Sequence, residues 1–423
     1  MQIQKAKYFK SKSGCRHFFI NAIKWVFITC TLSFSPSLSA SESHPNNLGK
    51  ACDFLTNPIF NNDKINNDGP NIIIDSFGKK VAELNFKPSR INWKLAIISL
   101  SEGQDSPVAQ VRAVPPCRII SARQFGTTAE GDQIIISFGR DLKFLGTEPQ
   151  NPPFVMPAQP LQAPHEPLLA LVDTGVNYNL PMVQEHLAID QHGQLIGYDF
   201  WDNDDRPFDK DPRKNAFFPL HHGTTVFSAL SRELGDLKIA IYRFPAQDMC
   251  LFNDLIDHAE KVGVKIINMS MGSYSRDDWK CFYDGAKKHP QILFVISAGN
   301  DGFNIDSNPV FPASLELANM VVVTSSDQFG RLPPQSNYGQ ASVDLMVPAE
   351  QVDVYDHRGV YTTAGGSSYA APRVAALAAR FLKQNTGAST ADIIDFLKSR
   401  AINNKSKPVR FGWIPDPSDN FKF

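Results

Sequence analysis

Three residue types in the order Asp…His…Ser supply an orienting acid, a base and a nucleophile for acyl transfer. Asp173 leaves the apolar run Leu168–Val172 into the turn Thr174-Gly175. A carboxylate at that place is held rigidly, as an orienting acid must be, although a strand-end aspartate commonly only shapes a turn. His222 stands in His221-His222-Gly223-Thr224, where a helical pattern opens. It is a general base or an ordinary structural histidine, and its neighbour leaves the choice between the two open. Ser368 stands in Gly365-Gly366-Ser367-Ser368-Tyr369-Ala370-Ala371-Pro372, where glycines and serines run into an apolar helix. A serine there caps the helix, or it attacks a carbonyl whose oxyanion the helix N-terminus stabilises. Pro372 is read as lying in the first turn, where its missing N–H is harmless. Asn300 follows Ala298-Gly299 at the end of the run Ile292–Ser297 and offers an amide to the same oxyanion. Each piece alone has a bland reading. Their joint order, with the amide between base and nucleophile, is what carries the chemistry.

The elements that must position these residues follow from periodicity. From Leu168 onward, the runs Leu168–Val172, Leu237–Tyr242, Lys265–Met269, Ile292–Ser297, Met320–Thr324 and Val343–Val347 read as buried strands. Helical patterns at Gly223–Glu233, Leu251–Val262 and Asp277–Lys288 lie between several of them, and two more helices, Ser368–Gln384 and Ser389–Arg400, close the chain. This alternation predicts an α/β domain over 168–423, a parallel sheet with helices on both faces. In such sheets sites form at the carboxyl ends of strands, where Asp173 and Asn300 fall. Residues 41–148 read as a small β-rich N-terminal domain, with short runs at Asn71–Ser76, Trp93–Leu100, Ala109–Val114, Cys117–Ala122 and Gln133–Phe138. A linker over 149–167 carries seven prolines and predicts an extended, exposed boundary or processing site.

Composition narrows the class. The 423 residues hold 42 basic and 43 acidic side chains, a net charge of −1, which gives no footprint for nucleic acid or an anionic membrane. The first 40 residues are different. Lysines and arginine carry all their charge, an apolar run spans Trp25–Phe34, and Ser37-Leu38-Ser39-Ala40 follows. That is the order of a secretory signal peptide cut after Ala40, and it predicts a secreted or periplasmic protein. The alternative, an uncleaved anchor, has too short an apolar run to span a bilayer comfortably. Cys15 and Cys30 would leave with the signal. The other four cysteines allow three pairings that sequence alone does not choose between; Cys52–Cys117 with Cys250–Cys281 is preferred, since each pair then stays within one domain.

Over roughly Leu168–Arg400 the sequence resembles the subtilisin-like serine protease family. Leu169-Ala170-Leu171-Val172-Asp173-Thr174-Gly175-Val176 is similar to the family's aspartate motif, and His222-Gly223-Thr224 to its histidine motif. Gly366-Ser367-Ser368-Tyr369-Ala370-Ala371-Pro372-Arg373-Val374-Ala375 is similar to its serine motif, in a register that selects Ser368 over Ser367. The resemblance implies Asp173, His222 and Ser368 as a catalytic triad and Asn300 as an oxyanion donor. It implies Ser270, Met271 and Gly272, with Ala298 and Gly299, as walls of the substrate pocket. Tyr242, Arg243 and Phe244 are expected beside the cleft. Four departures stand out: Thr225, Ser228, Ser367, and Arg373, which is expected on the exposed face of its helix. The segment Tyr198–Asp209 also resembles a family segment, and Asp202, Asp204, Asp205 and Asp209 are its candidate Ca2+ ligands, against a plain solvated turn. The chemistry itself requires no cofactor.

The implied activity is a secreted endopeptidase acting on protein or peptide substrates, as a monomer. A catalytically impaired peptide-binding relative is the alternative. An esterase would present Gly-x-Ser-x-Gly and the order Ser…Asp…His, and neither occurs. Residues 41–148 are a propeptide or a retained accessory domain; the reading leans to the propeptide, though without the helices usual for one in this family.

Overall fold

The computed structural model describes residues 46–53, 71–76, 79–88, 93–101, 106–155, 169–244, 248–402 and 408–418. The signal segment and residues 156–168 of the linker region lie outside the described residues.

The N-terminal region is an antiparallel meander. Strands β1 (Asn71–Ser76), β2 (Lys79–Pro88), β3 (Trp93–Leu100), β4 (Ala109–Val114), β5 (Arg118–Thr127), β6 (Gln133–Phe138) and β7 (Phe144–Pro149) pair in chain order. β2 and β7 were absent from the sequence expectation. β2 starts on two lysines and ends on a proline, and β7 is a mostly exposed edge strand containing glycine. One face packs Ala82, Leu84, Ile98, Val111 and Ala122 under a helical turn that brings in Leu48 and Ala51. The Cys52–Cys117 disulfide ties that turn to the start of β5, as expected.

The second sheet is parallel throughout. Its strands are β8 (Leu169–Asp173), β9 (Gly197–Asp199), β10 (Ile239–Arg243), β11 (Ile266–Met269), β12 (Leu293–Ser297), β13 (Met320–Ser326), β14 (Leu345–Pro348) and β17 (Gly412–Trp413). Their order is β17-β14-β13-β12-β11-β8-β10-β9. The antiparallel hairpin β15 (Val352–Tyr355) and β16 (Tyr361–Ala364) stands apart. Helices α1 (Gly223–Ser231), α4 (Ser367–Gln384) and α5 (Thr390–Arg400) cover one face; α2 (Phe252–Lys261) and α3 (Lys280–Lys288) cover the other. The pleat divides each strand between these layers: Leu169 and Leu171 join the first core, Ala170 and Val172 the second. Such doubly covered strands are continuously apolar, which is why they were legible. The Cys250–Cys281 bridge joins the turn before α2 to α3.

The chain starts at β8, winds to β10 on one side, then crosses to β11 on the other. The end of β8 is therefore a topological switch point, where open parallel sheets form their clefts. The N-terminal sheet docks on the segment that leads from there to α1. Arg112 and Arg123 stack their guanidinium groups over Phe218, at 3.5 and 4.5 Å from the ring centroid. Arg123 Nη1 also donates to Phe217 O at 2.8 Å, and the Phe125 and Phe217 rings lie 4.5 Å apart.

Candidate active site

Asp173 is the last residue of β8, next to that switch point, and is 2% exposed. Its Oδ1 accepts from the Thr174 N–H at 2.7 Å and lies 2.8 Å from His222 Nδ1. An ionised carboxylate only accepts, so Nδ1 carries the proton and Nε2 is left as the basic nitrogen. Burial disfavours the imidazolium, but the charge and hydrogen bond of Asp173, with Asp209 and Asp211 behind it, outweigh burial and raise the His222 pKa. The adjacent histidine points elsewhere: His221 Nδ1 meets the backbone oxygen of Asp209 at 2.5 Å. The structure thus separates the two histidines that composition alone left equivalent.

The backbone of the histidine motif is fixed by one buried carboxylate. Asp209 Oδ1 accepts from the Thr174 hydroxyl at 2.6 Å and from the His222 N–H at 3.2 Å. Its Oδ2 accepts from the Thr224 N–H at 2.9 Å and from the Thr224 hydroxyl. The Thr174 hydroxyl in turn accepts from the N–H groups of His222, at 3.1 Å, and Gly223, at 2.7 Å. An anion belongs here, because these are first-turn N–H groups of α1 without intrahelical acceptors. Gly223 is required by close approach: a Cβ on it would lie 2.0 Å from the Gly175 carbonyl oxygen.

The four candidate calcium ligands each face a partner within the protein. Asp209 is fully buried and spent on the histidine motif. Asp202 pairs with Arg243 at 2.7 Å, Asp204 accepts from Asn151 at 2.6 Å, and Asp205 is exposed, 3.9 Å from Arg206 Nε. The four do not converge, because the chain turns them toward different partners.

Ser368 is the second residue of α4 and half-buried. Gly366 before it has φ +115°, and a Cβ there would meet Asn300 Oδ1 at 2.8 Å. Asn300 Oδ1 accepts from the Ser367 N–H at 2.9 Å, an orientation that leaves its NH2 group to donate outward. The Ser367 hydroxyl accepts from the Gly299 N–H at 3.1 Å. Asn337, which sequence reasoning missed, shapes this loop from below. Its Oδ1 accepts from Asp301 and Phe303 N–H groups and its Nδ2 donates to Ala298 O at 2.8 Å. An isolated buried asparagine far along the chain carries no local signal of such a role.

α4 is brought beside α1 by Thr225, whose hydroxyl lies 3.1 Å from that of Tyr369 and donates to His222 O at 2.7 Å. The His222 and Tyr369 ring centroids are 6.2 Å apart. Ser228 accepts from the Tyr355 N–H at 2.8 Å, pinning the β15–β16 hairpin to α1. Two of the four departures therefore hold neighbouring elements together.

Two expectations, for Pro372 and Arg373, are corrected. Pro372 is the sixth residue of α4, not in its first turn, and Ser270 supplies the hydrogen bond it lacks: the Ser270 hydroxyl donates to Ser368 O at 3.0 Å. Ser270 was expected only as a pocket wall. Met271 is half-buried against the second core, and a Cβ on Gly272 would lie 2.8 Å from Phe311 O. Ala298 is fully buried, and Gly299 has φ +96° where a Cβ would meet Asn337 Nδ2 at 2.5 Å. Arg373 is half-buried rather than on an exposed face, paired with Glu233 at 2.5 Å and donating to Pro348 O and Ser418. Tyr242, Arg243 and Phe244 are buried, since β10 is covered on both faces.

Comparison with known proteins gives the family. The model of the subtilase family matches residues 165–413. A thermophilic serine proteinase of Bacillus sp. (strain AK1) is 30% identical over 234 residues, 51% of this chain and 52% of that protein. Halolysin of Haloferax mediterranei is 27% identical, covering 56% of this chain and 45% of its own. A halolysin-like extracellular serine protease of Natrialba magadii is 26% identical, at 56% and 43% coverage. The chain spans about half the length of the curated relatives it matches. A solved cold adapted subtilisin-like serine proteinase superposes with a TM-score of 0.48 at 23% identity, over 63% of this chain and 95% of that one. The chain belongs to the subtilase family.

Proposed function

We propose that the chain is a secreted serine endopeptidase in which Ser368 is the nucleophile, His222 the general base and Asp173 the group that orients the base. The observation that carries this reading is the 2.8 Å contact between His222 Nδ1 and the buried Asp173 carboxylate, which leaves Nε2 basic. Ser368 Oγ attacks the carbonyl carbon of a peptide bond while Nε2 takes its proton. Asp173 stabilises the imidazolium that results. The imidazolium gives the proton to the departing amine, an acyl-enzyme remains, and water activated by the same nitrogen releases the acid. The Asn300 side-chain amide and the Ser368 N–H, in the first turn of α4, receive the developing oxyanion. The substrates are proteins or peptides. An N-terminal segment with signal-peptide order and relatives that include a protein named as extracellular support secretion.

The test is labelling of the secreted chain by a fluorophosphonate probe together with hydrolysis of a casein-type substrate. Labelling at Ser368 and hydrolysis are expected, both abolished in Ser368→Ala. A folded, secreted wild-type chain that takes no label would favour the peptide-binding alternative. N-terminal sequencing of the mature protein decides the fate of residues 41–148: a start inside the Pro-rich linker means a propeptide, a start near residue 41 a retained domain.

A further inference from the structure

A second cluster stands one residue from His222 and has no part in the proposed reaction. Glu148 of β7, His221, and His357 in the turn between β15 and β16 offer ligand atoms that all lie within 4.8 Å of one another. They come from the N-terminal sheet, the segment before α1 and the hairpin, and each is half-buried.

The details fit a metal better than a chance meeting of polar groups. His221 Nδ1 meets the Asp209 carbonyl, so it carries a hydrogen, and in the neutral ring Nε2 presents its lone pair toward Glu148. Histidines that bind metals commonly tie the other ring nitrogen to a carbonyl in this way. His221 Nε2 and Glu148 Oε1 are 3.4 Å apart. Two ligands of a tetrahedral zinc ion, with bonds of about 2.0–2.1 Å, are separated by about 3.3–3.4 Å. His357 Nδ1 is buried without a hydrogen-bond partner. Its backbone is held by Asn177 Nδ2, which donates to His357 O at 2.7 Å.

We propose that Glu148, His221 and His357 bind a divalent transition-metal ion of the zinc type, with a water in the fourth position. Two imidazoles and one carboxylate suit zinc or cobalt; calcium and magnesium prefer all-oxygen sets. The His221 and His357 rings stack, with centroids 3.6 Å apart and planes 13° from parallel. Their lone pairs therefore do not converge in this arrangement, and binding turns the His357 ring out of the stack. No hydrogen bond from its Nδ1 opposes that turn. The ion would join the N-terminal sheet and the hairpin to the residue before the catalytic base. This inference does not depend on the proteolytic reading.

The test uses the full chain carrying Ser368→Ala to prevent self-cleavage, stripped with a chelator and titrated with Co2+ and then Zn2+. One ion per chain is expected, with the visible absorption of tetrahedral cobalt, its displacement by zinc, and a zinc-dependent rise in Tm. Glu148→Gln and His357→Gln should each weaken binding about tenfold or more. Asp257→Asn, at a carboxylate 2.8 Å from His289 Nε2 and outside this group of three, should leave it unchanged. Absence of binding, or wild-type affinity in both ligand variants with native circular dichroism, overturns the proposal and leaves a His221–Glu148 ion pair with a stacked neighbour.

Discussion

The Ser270 hydroxyl donates to the carbonyl oxygen of Ser368 at 3.0 Å and so replaces the hydrogen bond that Pro372 cannot make. In an α-helix the carbonyl of Ser368 would accept from the N–H four residues later, and that residue is Pro372. A strand-end residue thus closes the gap in the helix that presents Ser368, the proposed nucleophile.

Ser270→Ala should lower kcat/KM and cost about 1–3 kcal/mol of stability, the range for a buried acceptor left unsatisfied. Pro372→Ala, which restores an N–H at the right place, should recover part of that loss in the double variant. Denaturation curves and peptide kinetics on the four members of the cycle measure the coupling. Additive losses would show that the two residues act independently.

Asp209 organises the histidine motif through bonds to Thr174, His222 and Thr224. Asp209→Asn places an NH2 group against N–H donors on one side of the carboxylate. A stability loss of about 3 kcal/mol is expected, following the size of hydrogen bonds to charged groups. Turnover should fall with it, since a base misplaced by about 1 Å can cost on the order of 10²-fold. Both losses should be the same with and without added calcium.

Asp199 is fully buried with Arg243, whose Nη1 lies 2.5 Å from it. Burial pushes its pKa up to about 6, against the lowering effect of Arg243. The folded pKa exceeds the unfolded one, so this group favours folding in acid and loses that contribution as pH rises through about 6. Arg243→Met removes the compensating charge. Its destabilisation relative to wild type should be about 3–5 kcal/mol at pH 8 and smaller at pH 5, where Asp199 can take a proton. Urea midpoints of both proteins at the two pH values give the comparison; a difference that grows in acid would contradict it.

The N-terminal sheet is held by the cation–π sandwich on Phe218 and the Arg123–Phe217 hydrogen bond. Tyr178 adds a hydrogen bond to Pro152 O at 2.5 Å and Lys210 one to Gln150 O at 3.1 Å. After a single cut placed within 156–167, the two parts should still coelute on gel filtration at physiological salt. The Arg112→Ala/Arg123→Ala variant should separate, because partly desolvated cation–π contacts are worth about 1–2 kcal/mol each.

Much of the site was legible because its signals are local. An apolar run, a glycine turn and a helix start each lie within a few residues, and a strand buried on both faces reads as an unbroken apolar run. Those patterns, with motif register, singled out Asp173, His222, Ser368 and Asn300 as candidates, and the helices near α1–α5. Confining each cysteine pair to one domain also gave both disulfides. The partners of polar side chains were not legible, because they join residues far apart in the chain. Asp209 reads like any acid in a turn until the fold sets it under the first turn of α1, and Ser270 like a pocket wall until Pro372 comes down beside it. Arg243 became an interior residue and Arg373 a half-buried one because Asp199 and Glu233 wait for them there. The sequence by itself determined which groups can react and in what order they occur; tertiary structure decided which neighbours hold them, since hydrogen bonds and ion pairs are chosen by proximity in space.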